Sequence, residues 1–202
     1  MIQLTAAQIP NGAAAFFWGS TDPLKAGPGA ILSGIIEKVT DGGPSHCGYL
    51  TWRNGAIQLF ESTIWKGVDG PQWNAFADRT GEYANGGRIV VCPYLPECAP
   101  DPGAVETVAA NLIALREAGK CPYAIWHLPA DLMQKEAVIR KVLDLGGVEQ
   151  LGELLEKDAT KTNGLVCSEC LAEVTGHTPY IGVTPAQAMA WAQYEPGIQV
   201  LP

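Results

Sequence analysis

Apolar and polar positions alternate most clearly between His46 and Ser62, where HCGYLTW and IQLFES flank Arg53-Asn54-Gly55-Ala56. Asn-Gly between two β-prone runs predicts a hairpin. With a two-residue loop Arg53 faces Ala56, His46 faces Thr63 and Gly48 faces Glu61. Side chains alternate along a strand, so one face gathers His46, Gly48, Leu50 and Trp52 with Ile57, Leu59, Glu61 and Thr63. Its four large apolar residues mark this face as buried. His46 and Glu61 become diagonal neighbours on it, with Gly48 leaving room between them. A four-residue loop keeps this register, whereas a three-residue loop turns Glu61 to the other side.

The remaining pattern predicts an α+β domain. AAAFFWG at 13–19 suits a first strand, 29–40 a helix entered through Pro28 with Ile31, Ile35, Ile36 and Val39 at helical spacing, and RIVVCPY at 88–94 a further strand. Residues 63–87, rich in Gly, Asp and Asn, form a long loop whose Trp65, Trp73, Phe76 and Tyr83 either line a substrate groove or pin the loop to the domain. Asp101-Pro102 is an N-cap with a first-turn proline, and Val105, Val108, Leu112, Ile113 and Leu115 form a stripe that stops at Gly119. A charged helical pattern broken at Gly146-Gly147 predicts a helical insertion over 129–160, a solvated pair that also offers a lid or a surface for a protein partner. TPAQAMAWAQ, capped by Thr184, is a short helix, and GIQVLP a last strand.

Composition narrows the classes. At 202 residues with 47% hydrophobic and 17% charged, the chain suits a single domain over 1–202. The charge balance, 13 − 21 = −8, argues against nucleic acid and anionic lipid as partners. No apolar run approaches the ~20 residues of a membrane span, and MIQLTAAQIPNG lacks the basic and apolar regions of an export signal. The expectation is therefore a protein cytoplasmic as synthesised, unless a virus particle or another machine carries it out. Reduced thiols are expected for the six cysteines.

The candidate chemistry centres on TNGLVCSECLAEV at 162–174, a polar loop running through Leu165-Val166 into Cys167 and a helix-like pattern. A thiol in the first turn of a helix meets the positive end of the dipole and free backbone N–H groups, which lower its pKa from roughly 8.5 towards ~7 or below. A nucleophile needs a base held by a third group. His46 beside Glu61 supplies both, as a Cys167–His46–Glu61 triad. Cys167 and Cys170 also form a CxxC, but the wider Cys92–Cys98 spacing completes no usual zinc set, and no metal or cofactor is expected. Cys170 reads as a small buried residue able to trap Cys167 as a disulfide on oxidation. Glu169 reads as a capping residue and Ser168 as the lesser candidate nucleophile, while His127 and His177 read as structural.

Ser45-His46-Cys47-Gly48, Glu61-Ser62, Gly119-Lys120-Cys121-Pro122-Tyr123 and Val166-Cys167-Ser168-Glu169 occur in the order found in circularly permuted NlpC-type papain-like cysteine hydrolases. The chain resembles their YiiX-like and lecithin retinol acyltransferase-like branch over residues 13–190. This resemblance implies a permuted papain-like fold with an antiparallel sheet packed against helices. It also implies Cys167 as nucleophile, His46 as base, Glu61 as orienter and Tyr123 beside the site, helping to hold the substrate carbonyl. The implied substrates are amide bonds of cell-wall peptides, as in a lytic or phage-associated enzyme, or ester and thioester bonds of lipids. A fold kept as a non-catalytic structural or binding component of a virus particle is the third possibility. The chain departs from the family at Cys47, where a β-branched apolar residue is usual, and in lacking a clean Gly-Asp pair near its first strand.

Overall fold

The computed structural model describes residues 9–19, 37, 42–84, 86–122, 165–177, 183–191 and 193–200. The expected 29–40 helix, apart from Glu37, lies outside them, as do Tyr123, His127 and the whole 129–160 insertion. The described chain is mixed α and β. Its strands are β1 (Ala13–Trp18), β2 (His46–Arg53), β3 (Ala56–Trp65), β4 (Val68–Ala75), β5 (Arg88–Pro93) and β6 (Ile198–Val200). Its helices are α1 (Phe76–Tyr83), α2 (Pro102–Glu117), α3 (Cys167–Thr175) and α4 (Pro185–Met189). The strands form one six-stranded sheet in the order β4-β3-β2-β1-β5-β6, with every pairing antiparallel.

The register of the first hairpin is the one its turn dictates. Arg53 pairs with Ala56, Trp52 with Ile57 and Leu50 with Leu59, and Asn54 and Gly55 both take positive φ, 53° and 78°. Two successive left-handed residues match the twist of the flanking strands, which is why Asn-Gly sets this loop at two residues. Gly48 is demanded by the same pairing. A Cβ there would stand 2.6 Å from the Phe60 carbonyl oxygen and 2.8 Å from Leu59 Cδ1.

Both faces of the sheet are covered, so β1, AAAFFW, is buried along its whole length and reads as a continuous apolar run rather than an alternating one. Phe16, Cys47, Tyr49, Phe60 and Cys92 pack under α2 and α3, while Phe17, Leu50, Leu59, Ile89 and Val91 form the opposite core with Phe76 of α1. The expected buried face of the hairpin fades towards its turn: Leu50 and Leu59 are buried, but Trp52 is exposed.

The segment 63–87, expected as a long loop, is instead the end of β3, the strand β4 and the helix α1. Lys66 and Gly67 take φ of 48° and 79° and make a second tight hairpin turn. Its aromatic residues pin structure together. Phe76 meets Phe17 edge-on at 6.3 Å, Tyr83 lies 5.0 Å from Phe17, and Trp73 lies 4.9 Å from Phe60.

The other expected elements form close to their expected bounds. Asp101 caps α2 by accepting from the Ala104 N–H at 2.8 Å, and Gly119 follows the helix at φ 71°. Within the apolar stripe, Ala109 is buried where Leu115 is exposed. Thr184 caps α4, accepting from Gln187 N at 3.1 Å while Gln187 Oε1 accepts from Thr184 N at 2.8 Å. No helix among the described residues is long and apolar enough to cross a membrane.

Candidate active site

The site forms where the first residue of β2 meets the first turn of α3. Val166 precedes α3 in extended conformation, φ −77° and ψ 169°, so Cys167 is its first residue. Valine has no side-chain acceptor for the helix N–H groups. The helix start is closed from the other side, by Glu169 Oε2 accepting from Val166 N at 3.1 Å. That places Glu169, fully buried, in the capping role. Ser168 points elsewhere, donating its hydroxyl to the Val183 carbonyl.

His46 lies between a carboxylate and a sulfur. Its Nε2 hydrogen-bonds Glu61 Oε2, and it makes a second hydrogen bond to Cys167, which leaves Nδ1 as the nitrogen facing the thiol. Phe17 packs against the ring at 5.5 Å between centroids and fixes its plane. The structure therefore brings Cys167, His46 and Glu61 together. Tyr123 falls outside the described residues.

Glu61 is wholly buried and is held from three further directions. Asn74 Nδ2 donates to Oε1 at 2.7 Å, Arg79 Nη2 donates to Oε2 at 3.2 Å, and Arg79 Nε stands 2.8 Å from Oε1. Arg79 is itself buried, pairs also with Glu82, and lies over the Trp65 ring at 4.8 Å. Neither Asn74 nor Arg79 was expected at the site, because both lie in the segment taken for a loop. The available signal was Lys66-Gly67 between Ile64-Trp65 and Val68, a hairpin turn without the usual asparagine.

These contacts set the charges. Burial alone would raise the Glu61 pKa, but the Arg79 guanidinium first, and then His46, hold it below the ordinary carboxylate value. Burial pulls His46 down, yet the negative charges of Cys167 and Glu61 and the hydrogen bonds to both outweigh it and raise the imidazole from 6.5 to about 9. For Cys167 the largest influence is a hydrogen bond from the Cys47 thiol; with the His46 charge and hydrogen bond it overcomes burial and holds the sulfur well below the usual thiol value. The resting pair is thus a thiolate beside an imidazolium.

No family model matches the chain, and no curated protein matches it. Among solved structures it is similar to YiiX from Escherichia coli O157:H7, described as a metalloprotein of a domain family of unknown function. The TM-score is 0.36 at 18% identity, over 51% of this chain and 50% of that one. The chain thus spans about half the length of that structure. The likeness concerns fold alone, leaves the circular order of the elements open, and implies no chemistry. Among the described residues, no group of three or more His, Cys, Asp or Glu side chains is placed to hold a metal ion.

The remaining candidates take structural positions. Cys170 is fully buried one turn beyond Cys167. His177 bonds Thr175 Oγ1 at 2.9 Å and Gln193 Oε1, and stacks on Trp191 at 4.3 Å.

Proposed function

We propose that the chain is a cysteine hydrolase of the circularly permuted papain-like type, acting by acyl transfer on amide bonds of cell-wall peptides. The observation that carries this reading is the imidazole of His46, hydrogen-bonded on one side to a buried, ionised carboxylate and on the other to a sulfur in the first turn of a helix. That arrangement supplies a nucleophile, a proton carrier and its orienter in contact.

Because the proton already rests on His46, the first step needs no separate deprotonation. The Cys167 thiolate attacks the carbonyl carbon, and the oxyanion is met by the Cys167 backbone N–H, with Tyr123 as the proposed second donor. The imidazolium gives its proton to the leaving amine as the C–N bond breaks, producing a thioester. His46, now neutral, takes a proton from water, the hydroxide adds to the thioester, and the sulfur leaves as thiolate with the imidazolium restored. Glu61 stays ionised throughout and keeps the ring oriented.

Incubation with purified cell-wall peptides, following release of new amino groups, tests the substrate. Release by the native chain and none by Cys167→Ala supports the amide reading; turnover of lipid esters or thioesters alone transfers the same site to acyl chemistry. A non-catalytic role draws support from one observation, the 2% exposure of Cys167. Iodoacetamide at neutral pH separates the two: fast, selective labelling of Cys167 fits the enzyme, and six equally sluggish thiols fit a scaffold.

A further inference from the structure

Two neighbouring thiols compete for the role of partner to Cys167. Cys170 shares its helix, one turn along, and is the partner that the CxxC spacing suggests. Cys47 comes from β2, where strand alternation turns it away from the His46 side and into the core beneath α3. The contacts differ. The Cys47 thiol and the Cys47 backbone N–H both hydrogen-bond the Cys167 sulfur, whereas Cys170 influences Cys167 only through charge. Cys47 and Cys167 are both buried in the same cluster, so the two sulfurs face each other with little competing solvent.

We infer that Cys47 is the thiol with which Cys167 closes a reversible disulfide when a hydroperoxide reaches the site, stapling β2 to α3. The Cys167 thiolate attacks a peroxide oxygen, the O–O bond breaks, and the sulfur becomes a sulfenic acid while water or an alcohol departs with the second oxygen. The Cys47 sulfur then attacks the sulfenic sulfur, the S–O bond breaks, and the Cys47 proton leaves with that oxygen as water. For hydrogen peroxide the balance is two thiols and one peroxide giving one disulfide and two waters. A dithiol reductant reverses the step. Burial keeps Cys47 protonated at rest, so the reactive sulfur is Cys167 and the resolving sulfur is Cys47. Once bridged, Cys167 has no thiolate to offer His46, and its reactivity is lost whatever its substrate. The inference rests on the placement of the thiols and not on the hydrolase reading.

The experiment needs no substrate. The full chain is treated with a small excess of hydrogen peroxide at neutral pH, blocked with N-ethylmaleimide in denaturant and cut with a glutamate-specific protease. Cleavage after Glu37, Glu61, Glu156, Glu169 and Glu173 places Cys47, Cys167 and Cys170 on the separate peptides 38–61, 157–169 and 170–173. The expected result is a cross-link between 38–61 and 157–169 that dithiothreitol abolishes and that survives Cys170→Ser. Cys47→Ala should lose it and carry Cys167 on to a sulfinic acid that dithiothreitol does not restore. A cross-link from 157–169 to 170–173, or Cys167 sulfinic acid with Cys47 fully blocked by maleimide in the unsubstituted chain, overturns the inference. The mapping in the unsubstituted chain decides the matter even if a variant fails to fold.

Discussion

The two flanks of His46 are built on different principles. On the carboxylate side, Glu61 is sealed from water and met by Asn74 and Arg79 in addition to the imidazole. On the sulfur side, Cys167 is held by a histidine and by the weak S–H donor of Cys47. A buried ion pair loses heavily when one partner is removed, because the other charge stays stranded. Thiol hydrogen bonds carry far less energy but tune proton affinity. The first flank is therefore a piece of the fold, and the second holds the reactivity.

Cys167→Ala tests that division most severely. Turnover should fall on the order of 10⁴-fold or more, while the urea midpoint barely moves; an active variant removes the triad, and an unfolded one removes the division. Glu61→Gln should do the reverse on stability. Stranding the Arg79 guanidinium should cost about 3–5 kcal/mol in urea unfolding, and adding Arg79→Met should recover part of the loss through their coupling. If Glu61→Gln and Arg79→Met simply add, the carboxylate flank is not the coupled unit described.

Gly48→Ala probes the seam between the flanks. Its new Cβ meets backbone at Phe60 as well as Leu59 and the Glu61 Cβ, so a loss of about 1–3 kcal/mol is expected, with reduced turnover because Glu61 must shift. Unchanged stability would mean that the strands can separate there without cost.

The mildest effect is on pH. The folded His46 pKa is raised from 6.5 to about 9, so its stabilisation is fully present below 6.5 and is lost as pH rises through about 9. Cys167 is shifted the other way, and its contribution is lost as pH falls through its lowered pKa. Acyl transfer should therefore be level through neutrality and fall about tenfold per pH unit on the alkaline side. A limb near the ordinary histidine value would show that the ion pair does not form.

How much of this was legible beforehand varies with range. The Asn54-Gly55 turn carries its own dihedral preference, so the register that sets Glu61 beside His46 could be counted along the chain. Asp101-Pro102, Thr184 and Gly119 are likewise local. Lys66-Gly67 makes the same turn with a residue that rarely takes positive φ, and the strand and helix behind it were missed along with Asn74 and Arg79. Trp52 escaped the expected burial because the hairpin runs past the edge of the core, a matter of layer width that alternation does not encode.

Short-range stereochemistry and apolar periodicity thus determined the hairpin, its facing pairs, the helix caps and the sulfur at a helix start, because each depends on a few neighbouring residues. Packing across the sheet decided the rest. Only the stacking of α3 on β2 made Cys47 rather than Cys170 the neighbour of the nucleophile, and only the return of β4 and α1 over β3 gave a buried carboxylate its cation. Contacts between residues far apart in sequence depend on how layers close over one another, and no local pattern carries that information.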